Sequence, residues 1–268
     1  MPIQIHPSFP SQFIDPRQVE VWLPPSYATT PDRRYPVLYM HDGQNVFNPE
    51  TSTHKIPWGV DEVLTRLIAE NKVREAIVVA AWCNPPKRWA EYMPEKTAHF
   101  AEPAMVAEFI RQAGPMLGDR YLRFLVEELK PLIDSTYRTR PAQPDTFVMG
   151  SSMGGLISLY ALCEYPDVFG GAGCVSTHWV AGNGIMLKYM AESLPRAGRH
   201  KLYFDYGTED IDAPYEPFQR QADALLRASG YQPGVDTLTQ KFPGAGHNEA
   251  AWQARVHLPL AFLLQNSA

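Results

Sequence analysis

Gly150-Ser151-Ser152-Met153-Gly154-Gly155 sets a serine between glycines two residues before and two residues after it, the pattern with which a chain builds a nucleophile elbow. The preceding Asp145-Thr146-Phe147-Val148-Met149 reads as a short buried strand. After it, Leu156, Leu159, Tyr160 and Cys163 recur at helical spacing. Ser152 is therefore expected at a sharp strand-to-helix turn, in a strained backbone conformation, with glycines at 150 and 154 because a side chain at either would collide with the strand or the helix. The helix starting at Met153 would add free N–H groups and the positive end of its dipole beside the serine. Ser151 does not fit the frame, since Met149 stands where its first glycine would be.

Outward from this turn the chain alternates strand-like and helical patterns. Short apolar runs at Val19 to Leu23, Pro36 to His41, Ala76 to Trp82, Thr146 to Gly150, Gly173 to Ser176, Lys201 to Tyr206 and Thr237 to Phe242 read as buried strands. Helical spacing runs over Gly59 to Glu70, Gly118 to Tyr137, Met153 to Tyr165, Pro217 to Ser229 and Glu249 to Gln265. Such alternation predicts a mostly parallel, doubly wound α/β sheet whose ligand crevice lies beyond the carboxyl ends of the strands. No repeat or linker divides the chain, so one domain over residues 1–268 is expected. The Pro-rich stretch from Cys83 to Pro103 reads as a long ordered loop anchored by Trp89, Tyr92 and Phe100.

A serine hydroxyl is a poor nucleophile at neutral pH, so it needs a histidine base and an acid to orient that base, in the chain order Ser, acid, His for this fold. Among eight histidines, His247 stands on the small-residue loop Pro243-Gly244-Ala245-Gly246 after a late strand and before the last helix, and Asn248 can cap that helix. The acid should follow the strand ending at Tyr206. Asp205, Glu209, Asp210 and Asp212 compete, and Asp210 is the expected one because it lies just beyond the strand on the turn begun by Gly207-Thr208. Oxyanion donors are expected from the amide of Met153 and from that of Gln44, where Val37 to Met40 runs into His41-Asp42-Gly43-Gln44-Asn45.

At 268 residues and 45% hydrophobic composition a sizeable core is available. A net charge of -5 with no basic block leaves no electrostatic footprint for nucleic acid or an anionic membrane surface, so a small-molecule ester is the expected partner. No H-x-x-x-H or C-x-x-C spacing appears, so neither metal nor cofactor is expected, and Cys83, Cys163 and Cys174 read as packing residues. The start of the sequence has no signal-peptide pattern and no apolar run has transmembrane length, which points to the cytoplasm. Oligomeric state is left open.

The run Tyr39 to Phe47, then Trp58-Gly59-Val60-Asp61-Glu62, Glu91-Tyr92-Met93-Pro94, Gly150 to Leu156 and Gly246-His247 resembles the putative esterase (esterase D-like) family of α/β-hydrolases. Its members include enterochelin, feruloyl and acetylxylan esterases, S-formylglutathione hydrolase and antigen 85 mycolyltransferases. The resemblance covers nearly the whole chain. It implies a Ser152, Asp210, His247 triad with Gln44 and Met153 amides as the oxyanion hole, and it leaves the substrate open. The expected activity is hydrolysis, through an acyl-enzyme, of small acyl or aryl esters, including sugar- or siderophore-linked ones. An acyltransferase or thioesterase with the same triad, and a non-catalytic binding protein retaining the fold, are the alternatives. Trp58, Trp82, Trp89, Tyr92, His178 and Trp179 fall at or after strand ends and are candidates for an aromatic-walled cleft, with Arg88 a candidate for a substrate carboxylate or phosphate.

Overall fold

The computed structural model describes residues 3–266. Its strands are β1 (Gln4–Phe9), β2 (Arg17–Trp22), β3 (Val37–Met40), β4 (Ile77–Ala81), β5 (Thr146–Ser151), β6 (Gly171–Val175), β7 (Lys201–Gly207) and β8 (Thr237–Phe242). They form a single eight-stranded sheet in the order β1-β2-β4-β3-β5-β6-β7-β8. β1 with β2 and β2 with β4 pair antiparallel, and every pair from β4 to β8 is parallel. This is the α/β-hydrolase fold. Fully buried runs such as Val37–Met40 and Ile77–Ala81 have no polar alternation because helices cover both faces.

Strand parity sorts the core. Leu38, Met40, Val78, Ala80, Phe147 and Met149 face α1 (Val60–Ala69), α9 (Glu249–Arg255) and α10 (His257–Leu263). Val37, Tyr39, Ile77, Val79 and Val148 pack with the opposite layer. That layer includes α2 (Arg88–Tyr92), α3 (Pro103–Ala113), α4 (Gly118–Arg123), α5 (Lys130–Thr136), α6 (Met153–Glu164), α7 (Ile185–Ser193) and α8 (Tyr215–Ala228). In α6 every residue from Met153 to Cys163 is buried, so the helix is apolar all round.

Three expectations need correction. The pattern over Gly118 to Tyr137 is interrupted by a π-helical turn, Phe124–Leu129, next to Pro131, which has no N–H to continue the ladder. The pattern over Glu249 to Gln265 divides at Val256 into α9 and α10 for the same reason, Pro259 lacking the donor that would bond back to Arg255. The Cys83 to Pro103 stretch contains α2 and short 3-10 turns rather than a plain loop. β1, α3 and α7 lie where the sequence pattern predicts no element; β1 is a mostly exposed edge strand carrying Pro7, and α3 has no fully buried residue.

Candidate active site

The backbone at Ser152 has φ 59 and ψ −124, a region L-residues occupy only under constraint. The constraint is supplied on both sides. The Ser152 N–H donates to Val175 O (2.9 Å), and its carbonyl accepts from Leu156 N (3.1 Å) and His178 N (3.2 Å). A Cβ at Gly150 would lie 2.9 Å from the Gly154 backbone, so that glycine is sterically required. One at Gly154 would meet nothing closer than 3.5 Å, so the expectation of a collision fails there. A Cβ at Gly155 would sit 3.1 Å from Val175 O, which makes Gly155 the glycine that seats α6 on β6.

β3 runs into the loop that carries Gln44, the expected second oxyanion donor. Asp42 adopts φ 52 and is followed by a 3-10 turn at Gly43–Asn45, whose first bond is Asn45 N to Asp42 O (2.9 Å), leaving the Gln44 amide ahead of it. Gly43 passes so close to β4 that a Cβ would come within 2.6 Å of the Ala80 backbone. Arg88 grips Asp42 with Nε on Oδ1 (2.7 Å) and Nη2 on Oδ2 (2.8 Å), while the Asp42 N–H donates to the Tyr92 hydroxyl (3.1 Å). Burial would raise the Asp42 carboxyl, but the Arg88 guanidinium outweighs it and holds Asp42 below the usual carboxylate range. The Gln44 side chain is pinned at both ends, Nε2 on Cys83 Sγ (3.1 Å) and Oε1 accepting from Cys83 N (3.2 Å). Beneath the loop, His41 bonds the Tyr121 hydroxyl (2.7 Å), and burial lowers its pKa to about 3, so it is neutral.

His247 Nδ1 lies 2.6 Å from Asp212 Oδ1. The carboxylate that meets the ring is thus Asp212 and not Asp210, the acid expected from the sequence. Asp210 itself takes φ 53 and begins a 3-10 turn at Asp210–Asp212 that leaves it exposed and rotates Asp212 into the interior. Asp212 is fully buried, yet its carboxyl is held below the usual range: burial pushes it up, and the bonds from His247, Ser176 and Gly207 overcome that. Asp205, another candidate, is instead ion-paired with Arg255 (3.1 Å). The loops bearing Asp212 and His247 are joined: Thr208 N and Glu209 N donate to Ala245 O (3.0 and 3.1 Å), and Gly244 N donates to Thr208 Oγ1 (2.8 Å). The contact is so close that a Cβ at Gly207 would lie 2.1 Å from Ala245 O. Asn248 caps α9, accepting from Ala251 N (3.0 Å), as expected. The edge of the His247 ring meets Trp252 at 5.0 Å.

Ser152 and His247 line one cavity of about 620 Å³, together with Asp42, Gln44, Asn45, Arg88, Trp89 and Trp252. Thr51, Ser52, Thr53 and Glu249 give it a polar wall. Of the expected cleft residues, Trp89 is there, 47% exposed, with its ring against His178 at 5.3 Å. His178 in turn lies 6.3 Å from the His247 ring, bonds the Tyr215 hydroxyl (2.8 Å), and is lowered by burial to a pKa of about 4. Tyr92, Trp179 and Trp58 are buried instead. Tyr92 holds the Asp42 amide, Trp179 donates to Gln219 (3.0 Å) and stacks on Phe204, and Trp58 packs on Trp252. Arg88 lines the cavity but is committed to Asp42 rather than free for a substrate anion. Cys83, Cys163 and Cys174 are buried free thiols, although Cys83 also edges the cavity.

The model of the Putative esterase family matches residues 11–262. The chain belongs to that family. Among sequence relatives of this esterase, YbbA of Bacillus subtilis (strain 168) is 25% identical over 194 residues, which is 72% of this chain and 69% of that one. Among solved structures, a ferulic acid esterase superposes with a TM-score of 0.70 at 20% identity, covering 98% of both chains. The BES protein from Bacillus cereus superposes with a TM-score of 0.75 at 17% identity, covering 97% of this chain and 94% of that one. Ester hydrolysis is thus the chemistry of the esterase family, and the fold is shared across low identity.

Proposed function

We propose that this esterase is a serine carboxylic-ester hydrolase working through an acyl-enzyme. Ser152 attacks the ester carbonyl as His247 Nε2 takes its proton. Asp212, accepting from Nδ1, fixes the tautomer and stabilises the imidazolium. The Gln44 and Met153 amides receive the oxyanion, each at the start of a helical turn where N–H groups have no intrahelical acceptor. His247 then protonates the leaving alcohol, and water repeats the sequence in reverse roles to release the acid.

The observation that carries this reading is the strained Ser152 facing the same cavity as an imidazole whose other nitrogen is held by a buried carboxylate. A polar wall with Trp89 and Trp252 suits a small acyl or aryl ester of a polyhydroxylated alcohol, and the likeness to a ferulic acid esterase is in keeping with an aryl acyl group. No described helix is long and apolar enough to cross a membrane.

A fluorophosphonate probe tests the mechanism. The wild-type protein should be labelled at Ser152 and should hydrolyse p-nitrophenyl esters with a burst, and Ser152→Ala should lose both while keeping its thermal transition. Turnover retained in Ser152→Ala would refute the assignment. Acyl products formed with competing alcohols or thiols distinguish a transferase from a hydrolase.

A further inference from the structure

Ser176, just after β6, stands behind the acid and is fully buried at φ 40. Its N–H donates to both the carbonyl (3.0 Å) and Oδ1 (3.1 Å) of Asp205, which fixes the residue from the neighbouring strand β7. Its hydroxyl has three partners: Asp212 Oδ2 at 2.6 Å, Trp252 Nε1 at 3.1 Å and Arg255 Nη2 at 2.7 Å. A hydroxyl offers one proton and two lone pairs, and indole and guanidinium nitrogens can only donate. Trp252 and Arg255 therefore occupy the lone pairs, and the single proton of Ser176 has to go to Asp212. The second donor to Oδ2 is the Gly207 N–H (2.6 Å). With Oδ2 filled by two donors, Asp212 is an ionised acceptor, and only Oδ1 is free for His247.

Arg255 is an expensive residue to keep for stability alone. Its side chain is 4% exposed and is paired with an Asp205 carboxylate that is fully buried, while its Nε and Nη1 have no hydrogen-bond partner among the described residues. Buried ion pairs with unmet donors are at best neutral for stability relative to an apolar core. Its one engaged nitrogen, Nη2, both pairs with Asp205 and donates to Ser176, which ties the Ser176 hydroxyl to the buried pair.

We propose that Ser176 is a positioning residue of the active site: its hydroxyl, aimed by Arg255 and Trp252, clamps Asp212 Oδ2 so that Oδ1 stays against His247. This rests on the serine-hydrolase reading above. The residue never touches substrate. It acts through Asp212 on the orientation of the imidazole, so its loss lowers turnover and leaves ground-state binding alone.

Ser176→Gly is the variant of choice. It removes the hydroxyl, and at φ 40 glycine is at less strain than serine, so the backbone is kept. With p-nitrophenyl acetate, kcat should fall by about 10- to 100-fold, the worth of one hydrogen bond to a charged group, with KM within about twofold of the wild type. In proton NMR the downfield Nδ1–H signal of His247 should move upfield and exchange faster with water. Ser176→Ala should behave alike and serves as the replicate if either variant folds poorly by circular dichroism. Folded Ser176→Gly or Ser176→Ala with wild-type kcat and an unmoved His247 signal would overturn the proposal. Wild-type protein that neither hydrolyses esters nor reacts with a fluorophosphonate would instead overturn the reading on which it rests.

Discussion

Replacing Asp212 by asparagine is the sharpest probe of the site, because the surrounding donors dictate how the amide must sit. Oδ2 receives the Ser176 hydroxyl and the Gly207 N–H, both at 2.6 Å. In Asp212→Asn those two donors require the carbonyl oxygen at that position, which turns the NH2 group toward His247 Nδ1. Nδ1 must then accept, and the ring proton moves to Nε2, where it blocks uptake of the Ser152 proton. A wrong tautomer in an otherwise intact triad lowers kcat by about 10⁴-fold, or about 5.5 kcal/mol of activation free energy. Asp210→Asn, at an exposed position with no hydrogen bond to the ring, should stay within about twofold of the wild type. Initial rates on p-nitrophenyl acetate at pH 7.5, with thermal melts to show that both variants fold, decide the matter. Loss of activity in Asp210→Asn with near-normal Asp212→Asn would refute the geometry of the acid turn and the tautomer argument together.

Other outcomes follow from the same contacts. Gly43→Ala, whose Cβ would sit 2.6 Å from the Ala80 backbone, should push the Gln44 amide out of line and cost about 10²-fold in kcat with little change in KM, measured on the same ester. Gly150→Ala should lower the melting temperature and abolish activity, since the added carbon meets the Gly154 backbone at 2.9 Å. Gly154→Ala, with nothing nearer than 3.5 Å, should melt within about 2 °C of the wild type. Arg88→Met leaves Asp42 buried and unpaired and should cost about 3–5 kcal/mol at pH 7 in urea unfolding. Because Asp42 is held below its unfolded value, the stabilisation it supplies is present above about pH 4 and is lost as pH falls further. The gap between Arg88→Met and the wild type should therefore narrow in acid.

The parts of the site that could be read from the sequence are those set by local backbone chemistry. A serine between glycines at the end of an apolar strand admits one kind of turn, and a histidine on a glycine-rich loop before a capped helix is similarly constrained. Asp212 is different. It shares a turn with Asp210, and which carboxylate points inward depends on the φ of 53 that Asp210 adopts, on the Gly207 N–H at the end of β7 and on the distant Ser176 hydroxyl just after β6. The aromatic residues divide along the same line. Trp89 reaches the cavity, whereas Tyr92, one turn further along α2, is buried in the core and holds the Asp42 amide. The difference is one of position along a short helix between the cavity and the core, and a residue's place after a strand does not reveal it. β1 is mostly exposed and mixes polar with apolar residues, so it lacks the apolar run that marks its buried neighbours.

The stapling of the Thr208–Glu209 loop to Ala245 divides the cavity lined by Ser152 and His247 between two kinds of wall. One wall carries Asp212 and His247 on two loops that are hydrogen-bonded to each other. The opposite wall, drawn from residues 44–54 and 83–89, shares none of those staples. Under the proposed chemistry, remodelling of residues 45–54 and 83–89 would alter which alcohol or acyl group is admitted while Gln44, Asp212 and His247 are inherited unaltered, so a lineage built on this frame can diversify its diet without rediscovering its chemistry.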